Sequence, residues 1–489
     1  MVELQPARTG ITVAPLGVGV IRYLTLGVLL ISVVVLVITS GRSYFRADDF
    51  SHLLSARYDT LGHLASVITR PEYANHYRPM VKVFYFVNYA MSGLNPASYF
   101  LSSIAVFVLN ALLFFLLVRT LASDSLLALC ALLLLLLQAN TYLYTVTWIA
   151  AISSMLAPLF MLACLWLYVR SVRGAKLIKS TYLLSLVCFA LALMTKESAS
   201  TLVLLLASYD FLFGWLDAPN KLAKLGRLAA RYVPFGAMLA LYALLRGTAG
   251  AMSLAGEGSY TLRFGFSVVR NAVYFSQQLG FMVVAVLVCT IPAMFVSHTR
   301  LEKNEVRIVV FGLFMALVFA SPVLFLTWAS PTWLFAPALG TTLAVSVPLS
   351  KVLGRTASQM GLSVLSGILV LALMGNFLLW SKLVEARWLQ WGTYTHNMLA
   401  DIQQRYPDLP SDSTVWLVDS NAEQAFGVDR LLRNHAPSAL RLWYGDLSLN
   451  ARIAVTASDI EELKQQRQAG ERVFVFEYHD GHLAEKTGP

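Results

Sequence analysis

The sequence predicts an all-α polytopic membrane protein of about eleven transmembrane helices, followed by a small C-terminal soluble α/β domain. Three observations carry that reading. Hydrophobic residues make up 57% of the 489 and charged residues only 13%, with a mean hydropathy of +0.64. A soluble globular chain is less apolar and carries about twice the charge. Apolar runs near twenty residues recur through residues 1–384, and that is the length a helix needs to cross a bilayer. From residue 385 onward the composition turns charged and the runs stop.

The apolar runs fall at 17–40, 99–119, 123–140, 147–169, 178–194, 197–213, 232–246, 271–296, 308–326, 333–350 and 359–382. The first is too long for a cleavable signal, and no small-residue cleavage site follows before Arg42. The run at 178–194 is short, so a re-entrant hairpin stays open there. Four intervening loops are basic. They carry Arg170, Arg173, Lys176 and Lys179; then Lys221, Lys224, Arg227 and Arg231; then Arg300, Lys303 and Arg307; then Lys351 and Arg355. With the N-terminus inside, all four face the cytoplasm, as the positive-inside rule requires. The net charge of +10 is therefore a topology signal and gives no argument for a nucleic-acid partner. The same count puts outside the Phe45–Ser98 loop, the Thr195-Lys196-Glu197 turn, the Gly247–Arg270 loop, the Thr327–Pro331 turn and the tail. All four cysteines lie in apolar runs without metal-ligand spacing, which reads as small buried hydrophobes.

The domains expected are thus a transmembrane unit, 1–384, whose outer loop 41–98 holds an acidic motif, and an outer α/β unit, 385–489. In the latter, Thr414–Asp419 and Arg472–Tyr478 read as strands, and Arg441–Tyr444 as a further short one. Ala422–Asn434 reads as a helix, and so does Ala457–Gln468, with Ser458 as cap and Glu461 completing a capping box.

Polar residues at the outer edges are the candidates for chemistry. Asp48 and Asp49 stand just past the first span, where partial desolvation raises a carboxylate's pKa toward that of a useful base. The competing reading is that they cap the helix starting at Phe50. Asp49 is the first choice for the base, and Asp48 stands next to it. Arg78 precedes a proline, so its backbone is extended, and a guanidinium suits a phosphate. Tyr77 and His76 beside it have groups that hydrogen-bond a sugar. Lys196 and Glu197 sit between two spans, as a phosphate-facing cation with its orienting acid, or as a local ion pair. Arg270 enters the span at 271–296 beside Asn271, Tyr274, Gln277 and Gln278, polar groups that mark either a cavity or helix–helix bonding. No His/Asp/Glu cluster specifies a metal.

Three stretches carry a family resemblance: Ala47-Asp48-Asp49-Phe50; residues 76–117, beginning HYRPMVK; and residues 194–213, MTKESASTLVLLLASYDFLF. In these the chain resembles the GT-C glycosyltransferases, the superfamily of protein O-mannosyltransferases and aminoarabinose transferases, which use polyprenyl-phosphate-linked sugars. The resemblance covers about the first 215 residues. It implies that Asp49 or Asp48 supplies the base and that Arg78 and Lys196 lie near the donor phosphate. It also touches Asp210, which falls near the cytoplasmic end of its span and reads as structural. Some relatives use a divalent cation and others none, so no cofactor is fixed.

The expectation is an enzyme of the bacterial inner membrane. It would move a monosaccharide from a polyprenyl-phosphate donor to an outer glycan, lipid or exported-protein acceptor, with inversion. The rival readings are a polymerase or ligase of undecaprenyl-diphosphate-linked glycans and a lipid-linked glycan flippase. A flippase calls for charges near the midplane and a pseudo-repeat between halves, and the sequence shows neither.

Overall fold

The computed structural model describes residues 16–67, 77–173, 179–217, 219–248, 263–356, 360–419 and 427–486. Among them, eight helices are long and apolar enough to cross a membrane: Gly19–Gly41, Pro96–Ala122, Ile149–Val172, Glu197–Trp215, Gly226–Thr248, Phe266–Val296, Lys303–Leu324 and Phe335–Gly354. Ser125–Leu137 and Ala139–Val146 make a ninth when counted as one span bent by 61°. Two shorter apolar helices, Lys179–Leu193 and Ser366–Lys382, occupy the remaining two runs. Every expected apolar run is thus helical.

Local chemistry sets the helix ends. The Asn95 side chain accepts from the Ala97 amide with Pro96 at the first helical position, which pre-sets the backbone and satisfies an orphan donor. Asp124 does the same for Leu126 at 2.8 Å. Within the bundle, Lys303–Leu324 and Phe335–Thr356 approach through Gly312 and Gly340. A Cβ on Gly340 would sit 2.2 Å from the Ala316 amide nitrogen, so only a glycine admits this crossing.

The described parts of the basic loops gather at one end. Asp217 receives Arg307 Nη2 at 2.8 Å and Lys303 Nζ at 3.0 Å, and Lys351 pairs with Glu305 at 2.7 Å. Asp210 is buried there, bonded by the Tyr168 hydroxyl and by the Tyr232 hydroxyl at 2.9 Å. That environment agrees with its reading as structural.

The tail forms a four-stranded sheet from β1 (Thr414–Val418), β2 (Asn450–Ala454), β3 (Val473–His479) and β4 (His482–Glu485), in the order β2-β1-β3-β4. The first three strands are parallel and β4 closes antiparallel on β3. Parallel neighbours need crossovers, supplied by Ala457–Gln468 and by the helices Val428–Leu432 and Ala436–Tyr444. Residues 441–444 therefore end a helix and are no strand. Four residues, RLWY, alternate too briefly to tell the two apart, and Pro437 in the first turn gives the helix its start. The capping box of Ala457–Gln468 uses Thr456 and Asp459, two residues before the expected pair, because the chain already turns helical at Ala457. Of the expected helix at 422–434, residues 428–432 are helical and 433–435 form a 3-10 turn; 420–426 lie outside the described residues. No break marks residue 385. One helix, Met360–Arg405, runs from the apolar segment straight into the tail.

Candidate active site

The acidic motif follows immediately after the Leu16–Gly41 helix. Its turn leans on the long helix at Gly392, where a Cβ would lie 2.5 Å from the Tyr44 amide nitrogen. Ala47 holds a φ of 43°, left-handed and costly for a residue with a Cβ. Its amide donates to the Leu431 carbonyl of the C-terminal domain at 3.1 Å. Helix Asp49–Tyr58 then begins, with Asp48 in the cap position but without a side-chain cap bond. Capping does not explain Asp48.

The two carboxylates differ sharply. Asp49 is 1% exposed. Its Oδ2 accepts the Arg46 amide at 3.0 Å, and its Oδ1 accepts the Ala150 amide at 2.7 Å and the Tyr85 hydroxyl at 3.2 Å. Burial raises its pKa to about 7, against the pull of the Arg46 charge. Arg46 is itself buried, donates to the Thr147 carbonyl at 3.1 Å and lies over Trp148 and Trp391. Asp48 keeps 38% of its side chain exposed, and its Oδ1 meets His435 Nε2 at 3.2 Å. Burial alone would push the Asp48 carboxyl up; the hydrogen bond and charge of His435, with Arg433 and His52, outweigh it and hold Asp48 below its ordinary value.

A second cluster stands close by. The Met80 amide donates to the Met194 carbonyl at 3.1 Å, so the Tyr77–Pro79 approach and the Lys196 turn are stitched together. Arg78 then grips Glu197 with both arms, Nη2 to Oε1 at 2.8 Å and Nε to Oε2 at 3.3 Å. The local Lys196–Glu197 pair allowed by the sequence is replaced by this pairing across 119 residues. Lys196 is 8% exposed and donates to Ser154 Oγ at 2.9 Å. Burial first, and then the Arg78 charge, lower its pKa to about 7. It lines a cavity of about 30 Å³ with Ser154, Met161, Phe319, Thr332 and Trp333. Tyr77 is 2% exposed and packs edge-on against Tyr242 at 5.9 Å, so its ring is a support for this corner.

His52 joins the clusters. It stacks on Tyr85 at 4.7 Å and feels the charges of Asp48, His435, Arg78 and Lys82 together. Burial, the largest of these influences, pushes it down to about 4. Lys82 Nζ reaches Ser55 Oγ at 3.1 Å.

The structure therefore brings together Asp48, Asp49, Tyr77, Arg78, Lys196 and Glu197. Arg270 donates to the Thr327 carbonyl, and Asn271 beside it binds the Leu324 and Leu326 carbonyls. His76 lies outside the described residues. Four residues of the site were not found from sequence: His52, Lys82, Tyr85 and His435. Two of them carry a helical signal, His52 four after Asp48 and Lys82 four after Arg78. His435 carries none. Among the described residues, no group of three or more His, Cys, Asp or Glu is arranged to hold a metal ion.

No family model matches the chain, and no curated protein matches it by sequence. Solved structures do match. One is ArnT from Cupriavidus metallidurans bound to undecaprenyl phosphate, with a TM-score of 0.57, 11% identity and 93% of each chain covered. Its apo state gives the same TM-score. Another is the archaeal oligosaccharyltransferase AglB from Archaeoglobus fulgidus in complex with an inhibitory peptide and a dolichol-phosphate. Its TM-score is 0.53 at 11% identity, covering 93% of this chain and 69% of that one. The chain is a multi-pass membrane protein that shares its fold with these solved membrane structures.

Proposed function

We propose that the protein is an inverting glycosyltransferase that moves a monosaccharide from a polyprenyl-phosphate donor to a hydroxyl of an envelope glycan, lipid or exported protein. The observation that carries this is the nearness of an accessible carboxylate, Asp48, to the charges of Arg78 and Lys82 across His52, with Lys196 beside Arg78. The fold shared with structures that hold undecaprenyl phosphate and dolichol-phosphate supports it.

In this reading the donor phosphate lies at Lys196 and Arg78, whose charges stabilise it as it leaves. The lipid tail enters between spans. Asp48 takes the proton of the acceptor hydroxyl. The acceptor oxygen bonds to the anomeric carbon as the carbon–oxygen bond to phosphate breaks, and polyprenyl phosphate departs with the bonding pair. Asp49, the first choice for the base from the sequence, is buried and accepts three hydrogen bonds, so in this reading it fixes the turn that aims its neighbour. The site faces outward from a bacterial inner membrane, opposite the basic loops.

The test is mass spectrometry of envelope glycans and exported proteins from cells with the gene, without it, and with Asp48→Asn. A sugar-sized mass missing from both the deletion and the variant, with protein level unchanged, supports the proposal and names the acceptor. A general base is worth roughly 10²–10⁴-fold in turnover. A variant that restores the full sugar mass overturns the assignment of Asp48.

A further inference from the structure

The C-terminal domain reaches the acidic motif by two separate bonds. The first is from backbone to backbone, Ala47 amide to Leu431 carbonyl at 3.1 Å, at a residue forced into the left-handed region. The second runs through side chains. His435 Nδ1 lies 2.6 Å from Ser51 Oγ, and its Nε2 lies 3.2 Å from Asp48 Oδ1. Ser51 also donates to Ser438 Oγ at 3.1 Å. The imidazole is therefore fixed at one ring nitrogen by the first turn of the Asp49–Tyr58 helix and aimed at Asp48 with the other. Arg57 adds a third tie, donating to the Leu442 carbonyl at 2.9 Å.

We propose that His435 is a positioning residue for Asp48, so that the C-terminal domain completes the active site by orienting the base. This rests on the reading of Asp48 as the base. The charged and titratable groups facing the pair are Asp49 and His52 from the helix that Asp48 begins, Arg46 from the turn before it, and Arg433 from the domain. Arg433 and His52 remain when His435 is removed, so the carboxylate loses one hydrogen-bond partner and its aim. The imidazole gains or loses no proton overall during transfer. The proton taken by Asp48 leaves to water after the product departs.

An imidazole held between a serine and an aspartate also occurs in purely structural settings, where its loss weakens docking at every pH alike. The role proposed here makes a different demand. Removing a hydrogen bond to a carboxylate raises its pKa. The acid limb of activity must then move upward while the alkaline side stays.

The experiment expresses the full chain in the deletion strain as wild type, His435→Ala, His435→Gln and Asp48→Asn. It reads the modified-to-unmodified ratio of the acceptor by mass spectrometry, in cells held at pH 5.5 and at pH 8. For His435→Ala the expected result is a larger loss at pH 5.5 than at pH 8, following the raised carboxylate. His435→Gln keeps a hydrogen-bond donor at similar reach, so it should recover activity at both pH values. An equal loss at both pH values in both variants overturns the proposal and leaves His435 a docking residue. Wild-type ratios at both pH values in both variants, with Asp48→Asn inactive, overturn it while sparing the base. An active Asp48→Asn overturns the reading it stands on as well.

Discussion

Lys196 offers the sharpest quantitative test, because its charge must return before it can hold an anion. Its ammonium is buried in the turn between Lys179–Leu193 and Glu197–Trp215 with Ser154 as partner, and burial with Arg78 brings its pKa to about 7. If the protonated form alone binds phosphate, the competent fraction is about 0.9 at pH 6 and about 0.03 at pH 8.5, so affinity should fall about 30-fold over that interval. Ordinary lysine, titrating at 10.5, would show no change there. The measurement is binding of undecaprenyl phosphate to the purified full chain in detergent, followed by calorimetry across that range. Lys196→Arg is the control. Its guanidinium stays charged throughout, so any residual slope belongs to the lipid's own phosphate and is subtracted. An equal slope in wild type and Lys196→Arg would refute the reasoning, as would unweakened binding by Lys196→Ala.

The other expectations follow from contacts already described. Arg78 and Glu197 keep 15% and 29% of their side chains exposed. Breaking the pair by Glu197→Ala should cost about 2 kcal/mol, between the values for surface and buried pairs; a denaturation midpoint in detergent that does not move would sink this. A double-mutant cycle with Arg78→Ala should return a coupling of about 1–2 kcal/mol. Asp49 has a folded pKa near 7 against 3.8 unfolded, so the stability it contributes is complete below pH 4 and lost as pH rises through 7. Asp49→Asn should therefore flatten that part of the stability–pH curve while setting an amide donor against a backbone donor, at about 1–3 kcal/mol. An unchanged curve would contradict the burial argument. Gly392→Ala drives a methyl into the Tyr44 amide, and should cut sugar transfer while leaving insertion in the membrane intact, as read by glycan mass and membrane protein level.

Much of the bundle was legible because one property, sustained apolarity, is what a bilayer demands over every twenty residues. The ends were legible because charge is costly there and is kept only for a reason, as with Lys196, Arg78 and the aspartate pair. Partners were not. Nothing near Glu197 in sequence announces Arg78, and nothing near Asp48 announces His435, since each bond closes a loop of more than a hundred residues. The difference in burial between the aspartates was hidden for the same reason: it depends on Ala150 and Tyr85 binding one carboxylate while the other stays open. In the tail, residues 441–444 misled because four residues fit either period, and the fold chose a crossover helix to join parallel β1 and β2.

The unbroken helix Met360–Arg405 spans 46 residues, about 70 Å at 1.5 Å per residue. It acts as a ruler graduated in both height and angle. Each residue added beyond the apolar stretch would lift the domain by about 1.5 Å and turn it by about 100°. One inserted alanine would thus swing His435 away from Asp48 without altering any side chain of either part, and a full turn of four would restore most of the angle but leave the domain about 6 Å too high. Length in this segment is consequently a constraint on the site in its own right.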